Sequence, residues 1–450
     1  MTTPETMGAG DHLKSFIEHL QDAFEEELDT EMSRTRNRAV MRYRPPYTRL
    51  PQHDLRGDAI NLVYENMLTK LCPPEIAHTF AVAYVDFMAD QLNTRKVSFQ
   101  EDVYNTVDVS AWCKQVMDGM FPFAKKIISG EIPTIELPDS IAMISTESMR
   151  GRRAKQEDRF VAYTTGTTMD PNFEDKVGLF GVFDGHGGAE CAIYAAAHLA
   201  EEWMAVRAEK PDLETSLSLS LKNLDRRMTV RSEKEQWRGG TTAVVLAVSE
   251  DELAFAWLGD SPGYLMSPSK LEKITRNHSP SDPDEARRVE EAGGQLLFIQ
   301  GEMRVNGVLN LTRALGDVSG RPMISNEPEL KTVKREKDQY MAVLACDGIT
   351  DVFSTEEILR LIETFIANND LEDYYELAMY ICRQAVDRGS ADNVTVIVVF
   401  LRSPDEIWEL MKTEPSDPES SSSSSTDSPV SDPDSDTNDE ESDQEKLDDM

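Results

Sequence analysis

Residues 178–199 read "GLFGVFDGHGGAECAIYAAAHL". An apolar run ends in Asp-Gly-His and two glycines, and a helical pattern follows. An Asp-Gly pair alone reads as a turn, because glycine takes turn dihedrals cheaply. An acid at the end of a buried strand, however, is costly to desolvate unless something positive meets it. The weight of Asp184 therefore depends on whether other acids arrive in the same setting.

They do. Glu157 and Asp158 sit in "RRAKQEDRFVAY", Asp260 ends "AFAWLGD", and Asp347 ends "MAVLACD" with Asp351 one helical turn later. Asp392 directly precedes the apolar run "NVTVIVVF". Strand-end carboxylates with few histidines nearby and no cysteine pairing form an oxygen-rich set, which suits Mg²⁺ or Mn²⁺ better than zinc or copper. Two such cations activate a water and clamp an in-line displacement at phosphorus.

Around this stretch, short β-rich runs ("DRFVAY", "TTAVVLAVS", "LAFAWLGD", "YMAVLACDG") alternate irregularly with helical ones ("TEEILRLIETFIAN", "YYELAMYICRQAVDRG"). The absence of strict βαβ alternation predicts an α+β fold of layered, largely antiparallel sheets. Before it, residues 11–130 read as helices. Leu13, Phe16, Ile17, Leu20, Phe24 and Leu28 recur on one stripe with the 3.6-residue period. "SGEIPTIELPDS" (129–140) has the proline and polar content of a linker. The expected division is a helical extension at 1–140, a catalytic domain at 141–404, and a short helix with an acidic Ser-rich tail at 405–450. The apolar stripes at 13–28 and 76–92 and the Arg-rich connector beginning at Arg34 suggest that residues 1–140 bind protein partners. The alternative for the connector is a solvated link broken by Pro45 and Pro46.

Composition narrows the classes. The 450-residue chain carries a formal charge of −36, much of it in "EPSDPESSSSSSTDSPVSDPDSDTNDEESDQEKLDDM", which lacks the apolar content to fold. So acidic a chain is not expected to hold nucleic acid by its backbone charge. Five scattered cysteines argue against a disulfide framework and for a reducing compartment, cytoplasmic or nuclear. The longest apolar run, "VTVIVVFL", falls far short of the roughly 18 residues a membrane helix needs, and the start lacks a signal-peptide core.

Seven stretches in order, "RRAKQED", "VFDGHGG", "GGTTAVV", "AWLGDS", "RVNGVLNLTRALGD", "LACDGITDVF" and "GSADNVTV", resemble the metal-dependent protein Ser/Thr phosphatases of type 2C over about residues 145–402. Within that family the likeness is greatest to a branch of nematode sex determination, which shares the helical front and acidic tail. The resemblance implies a four-layer α-β-β-α sandwich of two antiparallel sheets, phosphoprotein substrates, and partners among other feminization-pathway proteins. It also implies two Mg²⁺ or Mn²⁺ ions, with a weaker third. Asp184 matches the bridging ligand and Gly185 the residue whose carbonyl joins one metal. Asp347 and Asp392 match ligands of the second metal; Glu157 and Asp158 match acids that hold the first. Asp260 and Asp351 match the third site, Arg153 the phosphate-gripping arginine, and His186 the general acid that protonates the leaving alkoxide.

Other readings compete. Asp351 could be a helix N-cap; His198 and His278 read as structural. Gly239 and Gly240 lack a following Gly-Lys-Ser/Thr and read as a bend entering a strand. Cys382 and Arg388 fit a cysteine-phosphatase spacing, but the residues between them hold no glycine and continue a helix. A phosphatase fold acting only as a scaffold is the remaining alternative. Pro262, Ser279 and Thr312 stand where the family usually has Arg, Lys and Ser; none is an expected metal ligand.

Overall fold

Alternating residues of the strand Gly178–Phe183 point to two different cores, and that division organises the molecule. The computed structural model describes residues 9–32 and 47–413, apart from 136, 138 and 174. Two five-stranded antiparallel sheets form the centre. One runs Lys270–Lys273, Gly263–Ser267, Met341–Ala345, Val394–Phe400, Met143–Met149; the other runs Glu329–Lys334, Glu252–Leu258, Ala243–Val248, Gly178–Phe183, Arg159–Tyr163.

Phe180, Val182, Val244, Leu246, Phe255, Leu344, Ile397 and Val399 interdigitate between the sheets. Their neighbours along each strand turn outward, as the two-residue period requires. On one side Leu179, Phe183, Val245 and Ala256 meet the helices Glu190–Glu209 and Leu213–Glu235. On the other, Met341, Val343, Val396 and Val398 meet Thr355–Asn368 and Leu377–Arg388. Covering both faces explains why the central strands read as unbroken apolar runs, and it gives the expected α-β-β-α layers.

The helices Ala9–Ala23, Glu25–Met32, Leu55–Thr69, Pro74–Phe87 and Val109–Ile128 precede the sandwich. All of these but Glu25–Met32 contribute to one apolar cluster that includes Phe16, Leu20, Phe24, Ile76, Phe80, Tyr84 and Phe123. Much of each stripe read from the sequence, Phe16, Leu20, Phe24, Ile76 and Phe80 among them, thus turns into the front's own core, while Phe87 stays exposed. Residues 33–46, which hold most of the Arg-rich connector, and the tail from Glu414 onward lie outside the described residues.

A buried ionic network joins the front to the sandwich. Asp54 accepts hydrogen bonds from Arg227 and Arg231, each at 3.1 Å. Asp58 accepts from Arg231 at 3.2 Å and from the Tyr47 hydroxyl, and lies 3.2 Å from His198 Nε2. Burial alone would raise the Asp58 carboxyl, but Arg231 and the His198 and Tyr47 contacts hold it at about 2. Asp54, Asp58 and His198 have metal-ligand side chains, yet two guanidinium groups already satisfy the acids. His198 is therefore structural, as read. Among the described residues no helix is long and apolar enough to cross a membrane. All five cysteines are free and buried.

Candidate active site

The acids singled out in the sequence come from strand ends far apart in the chain, and the sheet registers bring them to one end of the sandwich. Asp184 follows Gly178–Phe183, Asp260 follows Glu252–Leu258, Asp347 follows Met341–Ala345, and Asp158 and Asp392 precede Arg159–Tyr163 and Val394–Phe400. Asp158 and Asp184 each offer a carboxylate oxygen within 4.8 Å of the other and of Cys346 Sγ.

Backbone contacts fix Asp184. Its N–H donates to Thr242 Oγ1 at 3.1 Å, while its carbonyl accepts from the Thr242 N–H at 2.9 Å and the Thr241 hydroxyl at 3.0 Å. A Cβ on Gly185 would lie 2.6 Å from the Glu157 carbonyl oxygen, so only glycine lets these two segments meet.

Electrostatics mark the acids as a set awaiting positive charge. Burial, and then repulsion from Asp158, Asp347, Asp260 and Asp392, pushes Asp184 well above the usual carboxylate range. Burial raises Asp158 to about 6, although hydrogen bonds from Thr395 and Cys346 oppose it. Asp347 is raised to about 8 by burial and by Asp260, Asp351 and Asp392. Its Oδ1 is buried with no hydrogen-bond partner. Asp260 and Asp351 are likewise raised, chiefly by burial. An orphaned carboxylate oxygen among crowded, mutually repelling acids fits hard divalent cations with oxygen ligands.

Such acids bind more protons in the folded than in the unfolded chain between about pH 4 and 8, so metal-free stability falls as pH rises through that window. A divalent cation removes the repulsion. Thermal melts in EDTA should therefore show a lower midpoint at pH 8 than at pH 5.5, and Mn²⁺ should raise the midpoint more at pH 8. An EDTA midpoint that climbs across this range would contradict the clustered-acid geometry.

Asp260, Asp347 and Asp351 line a cleft of about 500 Å³ together with Lys273, Asn277 and Asn310. Asp351 is no helix N-cap: it follows the short helix Asp347–Thr350, and Ser354 caps the next helix in a capping box with Glu357. Arg153 is exposed and donates to Asp392 Oδ2 at 2.5 Å. His186 ends the two-residue strand Gly185–His186, with Nε2 2.6 Å from Asp317 Oδ2. Burial opposes a charged ring there, but the Asp317 contact together with the Asp260 and Glu157 charges raises the imidazole above its ordinary range.

Sequence reasoning missed two residues here. Asn393 accepts the Glu157 N–H at 2.9 Å and donates to the carbonyls of Arg150 and Lys155, each at 2.9 Å. It thereby ties the loop carrying Arg153 and Glu157 to Asp392. Asp317 is the other, inside the quoted "LTRALGD". Both lay within recognised stretches, but their contacts cross 131 or more residues of sequence and left no local signal.

The readings set aside stay aside. Cys382 and Arg388 lie in the helix Leu377–Arg388, Cys382 is buried, and Arg388 pairs with Glu357. His278 is buried against Trp257, with Nε2 2.9 Å from Glu329. Gly240–Thr241 forms a short strand. Of the atypical positions, Thr312 is buried and donates to Glu285 at 2.7 Å.

The fold and this carboxylate-lined end define a class. Residues 143–394 match the model of the protein phosphatase 2C family, and the chain belongs to that family. It is 45% identical over 428 residues to protein phosphatase fem-2 of Caenorhabditis elegans, an alignment covering 91% of this chain and 95% of that protein. It is 33% identical over 287 residues to human protein phosphatase 1F, covering 62% of this chain and 61% of that one. A solved structure described as a C. elegans sex determining protein superposes with a TM-score of 0.83 at 43% identity, covering 91% of this chain and 100% of that one.

Proposed function

We propose that the chain hydrolyses phosphoserine and phosphothreonine in proteins with the help of two Mg²⁺ or Mn²⁺ ions. The observation that carries this reading is the convergence of Asp158, Asp184, Asp347 and their neighbours, mutually repelling and with one oxygen orphaned, at one end of the sandwich. Asp184, the Gly185 carbonyl, Asp347, Asp392, Glu157 and Asp158 would hold the two ions; Asp260 and Asp351, with Asp347, would hold a weaker third. When bound, the ions supply an activated water and the charge that steadies in-line displacement at phosphorus.

The chain's own groups do the rest. Arg153 binds two phosphate oxygens with its planar fork, leaving its resting contact on Asp392 to do so. His186 gives a proton to the departing seryl or threonyl oxygen. The relatives' names support a place in sex determination, with pathway proteins as partners. Residues 141–404 would be the catalytic domain, and 1–140 and 405–450 a regulatory or partner-binding front and tail. Because much of each apolar stripe is internal, partners would meet the front mainly on its polar surface or through its connector.

Phosphate release from a phosphoserine peptide with Mn²⁺, abolished by EDTA, is the expected result. No EDTA-sensitive release would overturn the reading and leave the scaffold. Arg153→Ala should mainly raise KM for the peptide; an unchanged KM would assign phosphate binding to another group.

A further inference from the structure

We propose that Asp317 is the positioning residue for His186, holding the ring through Nε2 so that Nδ1 is the nitrogen that delivers the proton. This rests on the phosphatase reading above. His186, Gly240 and Gly316 stand in register across three two-residue strands, and Asp317 follows directly. Its carboxylate, with the side chain 5% exposed, accepts the His186 Nε2–H at 2.6 Å. Among the described residues His186 Nδ1 makes no hydrogen bond, and the side chain keeps 25% of its surface open.

The surroundings over-determine this contact. Asp317 has a φ of +45°, a left-handed conformation that a non-glycine residue keeps only where neighbours impose it. Its N–H donates to the Gly239 carbonyl at 3.1 Å. A Cβ on Gly240 would fall 2.4 Å from Asp317 Oδ2, so that glycine is the space the carboxylate uses. The same loop is fastened to the helix Leu213–Glu235 by buried Asp225. Asp225 accepts from the Gly316 N–H and Arg321 at 2.8 Å each and from Asn326 at 2.7 Å.

A carboxylate held in this way selects the tautomer protonated at Nε2 and steadies the imidazolium. In the step, the bond from phosphorus to the leaving seryl oxygen breaks as the bond to the water oxygen forms. The Nδ1 proton passes to the seryl oxygen, and His186 is left neutral with its Nε2–H on the Asp317 carboxylate.

The test compares leaving groups. A seryl alkoxide needs the proton, whereas p-nitrophenolate leaves without it. In the full chain with Mn²⁺, Asp317→Asn should lower kcat on a phosphoserine peptide by about 10²-fold and on p-nitrophenyl phosphate far less. His186→Asn should show the same pattern, and the double variant should be no worse than His186→Asn alone. Gly240→Ala reaches the same contact from the other side and should reproduce the substrate split if Asp317→Asn does not fold. Equal losses on both substrates, or additive losses in the double variant, would overturn the positioning role alone. A parent chain that turns over neither substrate would overturn the phosphatase reading with it.

Discussion

Replacing Asp184 by alanine should lower turnover of a phosphoserine peptide by at least ~10³-fold. At 1.36 kcal/mol per tenfold, that is about 4 kcal/mol of barrier, within the several kcal/mol a bound cation contributes to such a transition state. Both ions would depend on this carboxylate, so both halves of the clamp fail together. The loss should come without unfolding. Three hydrogen bonds hold the Asp184 backbone to Thr241 and Thr242, and none involves its side chain. Removing one acid from a mutually repelling set also relieves the protein when metal is absent. The variant should therefore melt in EDTA no lower than the parent. Activity within tenfold of the parent would remove Asp184 from the centre of the site.

The second large effect is on stability and lies far from the chemistry. Asp58→Ala leaves Arg231, with only 2% of its side chain exposed, without one of its two aspartate partners and strips His198 of its own. Breaking a buried pair by removing one partner costs about 3–5 kcal/mol, and denaturant titration should show a midpoint shift of that size. A change below ~1 kcal/mol would mean that water or Asp54 takes over the charge. The same network bears on any attempt to remove residues 1–140. Such a deletion takes away Asp54 and Asp58 and bares the arginines and apolar surface that met them. Surface substitutions on the front are thus the cleaner test of partner binding.

The strand-end acids were legible because desolvating a carboxylate is costly wherever it occurs, and that cost shows in a linear pattern. The layers were legible too, since strands covered on both faces lose the alternation of a half-exposed sheet. The stripes of the front were read correctly as helical, but periodicity says only that a face is buried, not against what. Phe16, Leu20, Phe24 and Phe80 bury it against one another. Asp317 and Asn393 were invisible for a different reason. Each acts through hydrogen bonds to segments distant in the chain, and nothing in "LTRALGD" or "GSADNVTV" says which atoms those bonds reach. Gly239 and Gly240 read as a bend, whereas their purpose is clearance: a Cβ there would strike the His186 carbonyl or the Asp317 carboxylate.

Anomalous diffraction from crystals of the full chain grown with Mn²⁺ tests the central claim most directly. The account predicts two strong peaks at the strand-end acids, both within bonding reach of Asp184 and one of them also beside Asp347 and Asp392, and none beside Asp54 and Asp58, where arginines stand. No peak at Asp184, or a single one elsewhere on this acidic surface, would contradict it.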